Sequence, residues 1–468
     1  MVFNSIEFLI FFSVVLAVYG TVYQKEHARD GFLLLASYVF YGAWYWEYSF
    51  LILSSTVVDY FVGQKLAEEP RKRRRKLLLS FSLVFNLGLL SLFKYFNFFS
   101  GVGVDTLSIF GVQVEGIRHE FLLPVGISFY TFQTLSYTID IYRGNIKPDR
   151  SFLKFAVFVS FFPQLVAGPI VRASEFLPQL HKKIRIDKAM INSGLFLIFC
   201  GLTKKILIAD SLALLVVDDV FDNPGAFSSL DLMVALYAYS LQIYCDFSGY
   251  SDIAIGIALM LGFKLPINFN RPYLAKDPSE FWTRWHISLS TWLRDYLYIS
   301  LGGNRKGTLI TGRNLFLTML LGGLWHGAAM NFILWGAFHG AILILFLPLR
   351  SKIANVSGIK TIFLITLTFH LVLFGWLLFR VSDMQTFSEF TSGVLKFDFG
   401  WTVLSWYCFF LMGAAYIWHF IPPRLLKDRI RALYLKMPVP FQAAGYALML
   451  VVFSGLAFET PEFLYFQF

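Results

Sequence analysis

Between Arg313 and Arg350 the chain reads RNLFLTMLLGGLWHGAAMNFILWGAFHGAILILFLPLR, with no Asp, Glu, Lys or Arg between the two arginines. A membrane helix takes about 20 mainly apolar residues, so the stretch reads as two spans, at 314–330 and 332–349. Working outward, further apolar windows fall near 5–23, 31–46, 49–67, 77–99, 121–142, 189–203, 206–220, 231–262, 361–379, 402–421 and 441–458. The composition agrees with this pattern. Of 468 residues, 57% are hydrophobic and 15% are charged. The mean hydropathy is +0.61, well outside the range of soluble domains. No polar stretch is long enough for a soluble domain, so one integral-membrane domain over 1–468 is expected. The first window has no basic leader region and no small-residue cleavage site, so it reads as a retained span.

Two windows are irregular. SFLKFAVFVSFFPQLVAGPIV, 151–171, is apolar but carries Pro163, Gly168 and Pro169. It is expected to be a re-entrant or broken helix buried in protein, where irregular backbone is tolerated at membrane depth. The 231–262 window contains CDFSGYSD and reads either as one tilted helix or as two broken ones.

The net charge of +10 is a topology signal, because Lys and Arg collect in cytoplasmic loops. PRKRRRK (70–76), HKKIRIDK (181–188), the stretch 264–313 and PPRLLKDRIRALYLK (422–436) are therefore expected inside. The last of these is expected to include an amphipathic interfacial helix. The loop 101–120 and the acidic 217–231 are expected outside, as are both termini. The basic residues sit in short loops between apolar windows, which argues against a nucleic-acid partner. Cys200, Cys245 and Cys408 all lie in apolar segments and are expected to be free, buried thiols.

Polar residues within apolar spans are costly and mark candidate functional sites. His326 lies in LLGGLWHGAAM, flanked by Gly322, Gly323 and Gly327, which allow a backbone or a substrate to come close. A neutral imidazole can take a proton from a hydroxyl. A packing histidine bonded to a carbonyl fits the same residues, and the sequence leaves both readings open. His286 sits in EFWTRWHISLSTWLRDYLYISLGGN, 280–304, among Trp282, Trp285, Trp292, Arg284 and Arg294. His339, His370 and His419 read as packing or interface residues. No carboxylate or cysteine stands at metal-ligand spacing from the histidines. LGGNRKG, 301–307, is not a P-loop. Its glycines with Arg305 and Lys306 suit either a phosphate cradle or a plain basic loop. Asp246 and Asp252 could orient a histidine or pair with an arginine, and read foremost as structural ion-pair partners at a helix break. The hydroxyl-rich 124–144 reads either as a polar path or as a helix making interhelical hydrogen bonds.

These segments carry a resemblance. LLPVGISFYTFQTLSYTIDIYRG, FFPQLVAGPIVR, YCDFSGYSDIAIGIALMLGF, EFWTRWHISLSTWLRDYLYISLGGNRKG and RNLFLTMLLGGLWHGA are similar to the membrane-bound O-acyltransferase (MBOAT) family, nearest its bacterial alginate O-acetylation branch. The likeness is most specific over 120–340, and the final FLYFQF also looks like the family's ending. The resemblance implies an all-α polytopic membrane protein with roughly 11–13 membrane helices of ordinary length, re-entrant segments and a transmembrane tunnel. It implies a multi-pass protein of the bacterial cytoplasmic (inner) membrane, in contact with membrane lipids. The implied activity takes acetyl from cytoplasmic acetyl-CoA, without a metal, and passes it across the membrane. The acceptor would be an exported polysaccharide, alginate-like or cellulose-like, reached through an extracytoplasmic acetyltransferase partner. His326 in WHG and His286 in RWHIS match the family's two histidines and are the implied catalytic residues. Arg284, Arg294, Asn304, Arg305 and Lys306 are the implied donor contacts, with Trp282, Trp285 and Trp292 as an interfacial frame. A peptidoglycan O-acetylation component is an alternative, the D-alanine-transferring teichoic-acid branch is less similar, and a glycan or lipid transporter without chemistry is a different class.

Overall fold

Among the described residues, the apolar windows fold as helices. The structure, a computed structural model, describes residues 1–468 except 113, 115–122, 167, 401–404, 423, 424, 426, 439, 443, 446 and 448–468. No strand occurs among the described residues, and the fold is all-α. The chain forms two compact units. One holds Met1–Asp187, Ala258–Pro266 and Gly327–Ala329, and the other Lys188–Ile257, Ile267–His326 and Met330–Phe468.

The first unit contains α1 (Ile6–Val22), α2 (Glu26–Gly42), α3 (Ser49–Glu68), α4 (Lys72–Leu90), α5 (Phe96–Ile109), α6 (Ile127–Arg143), α7 (Phe152–Ser160), α8 (Phe162–Leu165) and α9 (Ala173–Leu180). A π turn at Ser91–Tyr95 runs α4 into α5. Hydroxyls of α6 meet polar groups of α3 and α4. Ser82 Oγ donates to Asp59 at 2.5 Å and lies 3.2 Å from Thr138 Oγ1. Asn86 Nδ2 donates to Asp59 at 2.9 Å, and Ser55 bonds Asn86. Thr134 and Thr138 of the 124–144 stretch therefore serve interhelical bonding, in which each bond contributes little and the set fixes register. The 151–171 segment is a broken helix, as expected. Residues 154–166 are buried, the break falls at Phe161 between α7 and α8, and Gln164 Nε2 satisfies the Phe158 carbonyl at 2.7 Å.

The second unit contains α10 (Lys188–Leu202), α11 (Asp218–Asp222), α12 (Ser229–Met260, in this unit as far as Ile257), α13 (Pro278–Arg284), α14 (Ile287–Trp292), α15 (Thr308–His326), α16 (Met330–Phe346), α17 (Arg350–Ala354), α18 (Ile359–Arg380), α19 (Met384–Val394), α20 (Trp406–Phe420) and α21 (Lys427–Lys436). Helix α12 is unbroken through CDFSGYSD, so the one-helix reading of that window holds and no helix break accompanies its aspartates. Helices α10 and α12 touch backbone to backbone at two glycine pairs. A Cβ on Gly201 would lie 2.5 Å from the Gly249 carbonyl, and one on Gly256 would lie 2.5 Å from the Gly194 carbonyl. The order of the pairs makes the helices antiparallel.

Beyond Leu202 the helix widens into a π turn over Thr203–Asp210. A π turn aligns residues five apart, so Lys205 and Asp210 meet at 2.7 Å. Lys205 also reaches Asp246 of α12 at 2.8 Å, and Lys204 reaches Asp252 at 2.7 Å. Both aspartates of CDFSGYSD are thus structural ion-pair partners, as expected, although their partners are lysines. The three cysteines are buried and none is in a disulfide among the described residues. Within the basic 422–436 stretch, Lys427–Lys436 forms α21, where Arg431 donates to Ser193 Oγ at 2.5 Å.

Among the described residues, three helical runs are long and apolar enough to cross a membrane: Lys72–Ile109, Met330–Ala354 and Ile359–Arg380. Ile6–Val22 is apolar but shorter. The window at 441–458 lies mostly outside the described residues, and the ending FLYFQF lies wholly outside them.

Gly249→Val should lower thermal stability by at least ~1–3 kcal/mol, because the added atoms meet backbone that cannot repack. Gly88→Ala, where a Cβ meets nothing within 4 Å, should be neutral or stabilise by up to ~1 kcal/mol. Thermal unfolding of the two variants in detergent compares them directly.

Candidate active site

His326 is the last residue of α15 and is 5% exposed. Its place follows from the glycines before it. A Cβ on Gly323 would lie 3.0 Å from Gly336 Cα, and one on Gly336 would lie 2.5 Å from the Met319 carbonyl. Helices α15 and α16 therefore lie in backbone contact, and Trp335, beside Gly336, is brought against the imidazole. Three rings meet His326 edge-on: Trp325 at 4.9 Å, Trp335 at 5.0 Å and Phe379 at 5.3 Å between centroids. Asn331 Nδ2 donates to the Val381 carbonyl at 2.9 Å, which ties the start of α16 to the end of α18 and fixes Phe379 in this set.

His286 is fully buried and caps α14 in the left-handed conformation, φ 40° and ψ 56°. Its ring packs edge-on against Phe247 at 4.6 Å and against Trp325 at 6.1 Å. Trp325 is therefore the ring that both histidines share. The stretch 268–270 pairs with 284–287 through Asn270 N–H to the Arg284 carbonyl and Ile287 N–H to the Asn268 carbonyl, both 2.9 Å. The Asn268 side chain lies 3.1 Å from His286, and Asn268 lines a cavity of about 210 Å³ together with Lys204, Tyr244, Ser251, Asp252 and Arg271.

The expected donor contacts divide into two groups. Asn304, Arg305 and Lys306 stand exposed together on one turn. The turn is built by positive φ at Gly302, Gly303 and Gly307, and Asn314 Nδ2 holds it by donating to the Gly303 carbonyl at 2.9 Å. Arg284 and Arg294 are each held by a carboxylate, Glu280 and Asp295, at 2.7 Å. Asp295 raises the pKa of the Arg294 guanidinium above its ordinary value. Trp285 and Trp292 are buried, and Trp285 packs on Trp376 at 4.7 Å, so these two tryptophans belong to the core and do not form an interfacial frame. His339 is buried among Trp282, Trp335 and Phe338, and His419 accepts from Tyr273 N–H at 3.2 Å. Both pack, as expected, while His370 bonds Tyr237 at 2.7 Å. Among the described residues, no group of three or more His, Cys, Asp or Glu side chains is arranged to hold a metal ion. Sequence reasoning missed Asn268, Trp335 and Phe379. The only available signal was the aromatic density of WGAFHG and GWLLF.

The family model of the membrane-bound O-acyltransferases matches residues 145–381. The chain belongs to the membrane-bound O-acyltransferase family. It is an O-acyltransferase and a membrane protein. A Pseudomonas aeruginosa protein named "Probable alginate O-acetylase AlgI" is 45% identical over 396 residues, 82% of this chain and 73% of that protein. A Helicobacter pylori "Peptidoglycan O-acetyltransferase" is 38% identical over 390 residues, 78% of this chain and 73% of that protein. A Bacillus subtilis "Teichoic acid D-alanyltransferase" is 28% identical over 277 residues, 56% of this chain and 69% of that protein.

If the two histidines that Trp325 packs against carry the acyl transfer, Trp325→Ala should lower it by about 10²-fold, the general scale of a small misplacement of reacting groups. Trp325→Phe should retain most of the activity. Turnover of the two purified variants at matched folded fraction is the measurement.

Proposed function

We propose that this protein is a multi-pass O-acetyltransferase of the bacterial cytoplasmic membrane that works as one domain over 1–468. It takes acetyl from cytoplasmic acetyl-CoA and passes it to an exported polysaccharide of the alginate or cellulose kind through an extracytoplasmic acetyltransferase partner. The observation that carries the reading is the pair of buried histidines joined by Trp325, with His326 held at a glycine-to-glycine helix contact. Similarity to an alginate O-acetylase over most of the chain supports a polysaccharide acceptor. The peptidoglycan O-acetyltransferase relative keeps peptidoglycan as the second acceptor.

In the proposed mechanism, His326 removes the proton of the acceptor hydroxyl as its oxygen attacks the thioester carbonyl. The C–S bond breaks, and the imidazolium returns the proton to the leaving CoA sulfur, so no net proton is consumed. The aromatic wall keeps water from the thioester, and holding both reactants in place supplies much of the acceleration. His286 faces the same ring and orients the reacting groups. Asn304, Arg305 and Lys306 meet the CoA phosphates, and Arg284 and Arg294 contribute positive charge nearby.

Incubation with acetyl-labelled CoA and envelope glycan, together with an extracytoplasmic protein extract of the source cells, tests this. Label should reach glycan with wild type, and His326→Ala should lower transfer by ~10²–10⁴-fold while the protein stays folded. Full transfer by that variant would sink the assignment. Label in peptidoglycan alone would select the second acceptor. Replacing Arg305 and Lys306 with Ala should raise KM for acetyl-CoA more than it lowers kcat. An unchanged KM would return that turn to a plain basic loop.

A further inference from the structure

Asn268 is 1% exposed, and its side-chain oxygen receives three contacts. Ser288 N–H donates to Asn268 Oδ1 at 3.2 Å, Ser288 Oγ donates at 2.9 Å, and His286 Nδ1 lies 3.1 Å away. The amide nitrogen faces the other way and donates to Ser251 Oγ at 3.3 Å. Which end of an asparagine is oxygen has to be assigned from its partners. Here a backbone N–H, which can only donate, makes the assignment. The atom facing His286 is an acceptor with no hydrogen to give.

The consequence for His286 is chemical. A ring nitrogen that bonds an acceptor must itself carry the proton, so in the neutral ring Nδ1 is N–H and the lone pair sits on Nε2. We infer that Asn268 is a positioning residue that fixes His286 as the Nδ1–H tautomer, so that Nε2 acts as a hydrogen-bond acceptor and not as a donor to an oxyanion. The inference rests on the reading above that His286 belongs to the acyl-transfer site. In that site His286 accepts a hydrogen bond from the acceptor hydroxyl or from the departing thiol, and it does not stabilise negative charge on the thioester oxygen.

The backbone bears out the cost of this arrangement. A residue other than glycine in the left-handed region is strained, and such strain persists where surrounding contacts over-determine it, commonly at functional sites. The two backbone bonds between 268–270 and 284–287 supply that constraint. They hold the His286 backbone, and the Asn268 side chain sets the rotation of the ring.

Nitrogen NMR of detergent-solubilised protein labelled with ¹⁵N-histidine reads the tautomer directly, with His286→Gln identifying the signal. The expected result is a protonated Nδ1 and an unprotonated Nε2 for His286. A protonated Nε2 in the neutral ring would overturn the inference without any activity measurement, even if variants at 268 fold poorly. In turnover, Asn268→Leu, which removes the acceptor at similar volume, should lose ~10²–10⁴-fold in kcat, the range set by general bases and tautomer-fixing partners elsewhere, with KM for acetyl-CoA little changed. Asn268→Asp keeps an acceptor facing Nδ1 and should recover most of the turnover. Equal activity of the Leu and Asp variants would overturn the positioning role. Full turnover by His286→Ala would instead overturn the reading of His286 as part of the site, which separates the two failures.

Discussion

Helices in this protein approach until their backbones touch, and glycine is what permits it. In a chain this apolar, burying more apolar surface distinguishes helix contacts poorly, so close backbone packing and polar contacts must choose among arrangements. Gly194 and Gly201 of α10 meet Gly256 and Gly249 of α12, seven residues apart on each helix, and Gly323 of α15 meets Gly336 of α16. The second contact matters for chemistry because His326 follows three residues after Gly323 and Trp335 precedes Gly336. The position of the imidazole against its aromatic wall is inherited from a contact that involves no functional group.

Charge is handled in a different way. Lys204, Lys205, Asp210, Asp246 and Asp252 would each be costly alone in an apolar interior, and breaking such a pair strands its partner. The π turn resolves this by rotating Lys205 onto Asp210 and presenting both lysines to α12. A wider helical turn is frequent near functional sites. Here its visible work is electrostatic, and the cavity lined by Lys204, Asp252 and Asn268 opens beside it.

Much of this was legible in the sequence where a residue is costly in its own surroundings. His326 stood out because it interrupts a run without charges, and 151–171 because Pro163, Gly168 and Pro169 cannot sit in a regular span. The continuity of α12 was less legible. CDFSGYSD resembles a break locally, and the lysines that stabilise it lie about forty residues earlier in the chain. The Trp285 and Trp292 rings were misjudged for a related reason, since tryptophan suits an interface and a core equally well and only tertiary packing, such as that of Trp285 on Trp376 of α18, decides between them. Asn268 had no local signal at all. Its significance depends on a partner eighteen positions later, brought back by a bend that no periodicity announces.

The ring wall around His326 also bounds what can reach it. Trp325 and Trp335, two of the eleven tryptophans, both lie edge-on to His326 at about contact distance. The imidazole therefore meets large rigid rings on these sides, and a change of size at either ring alters the space around it directly.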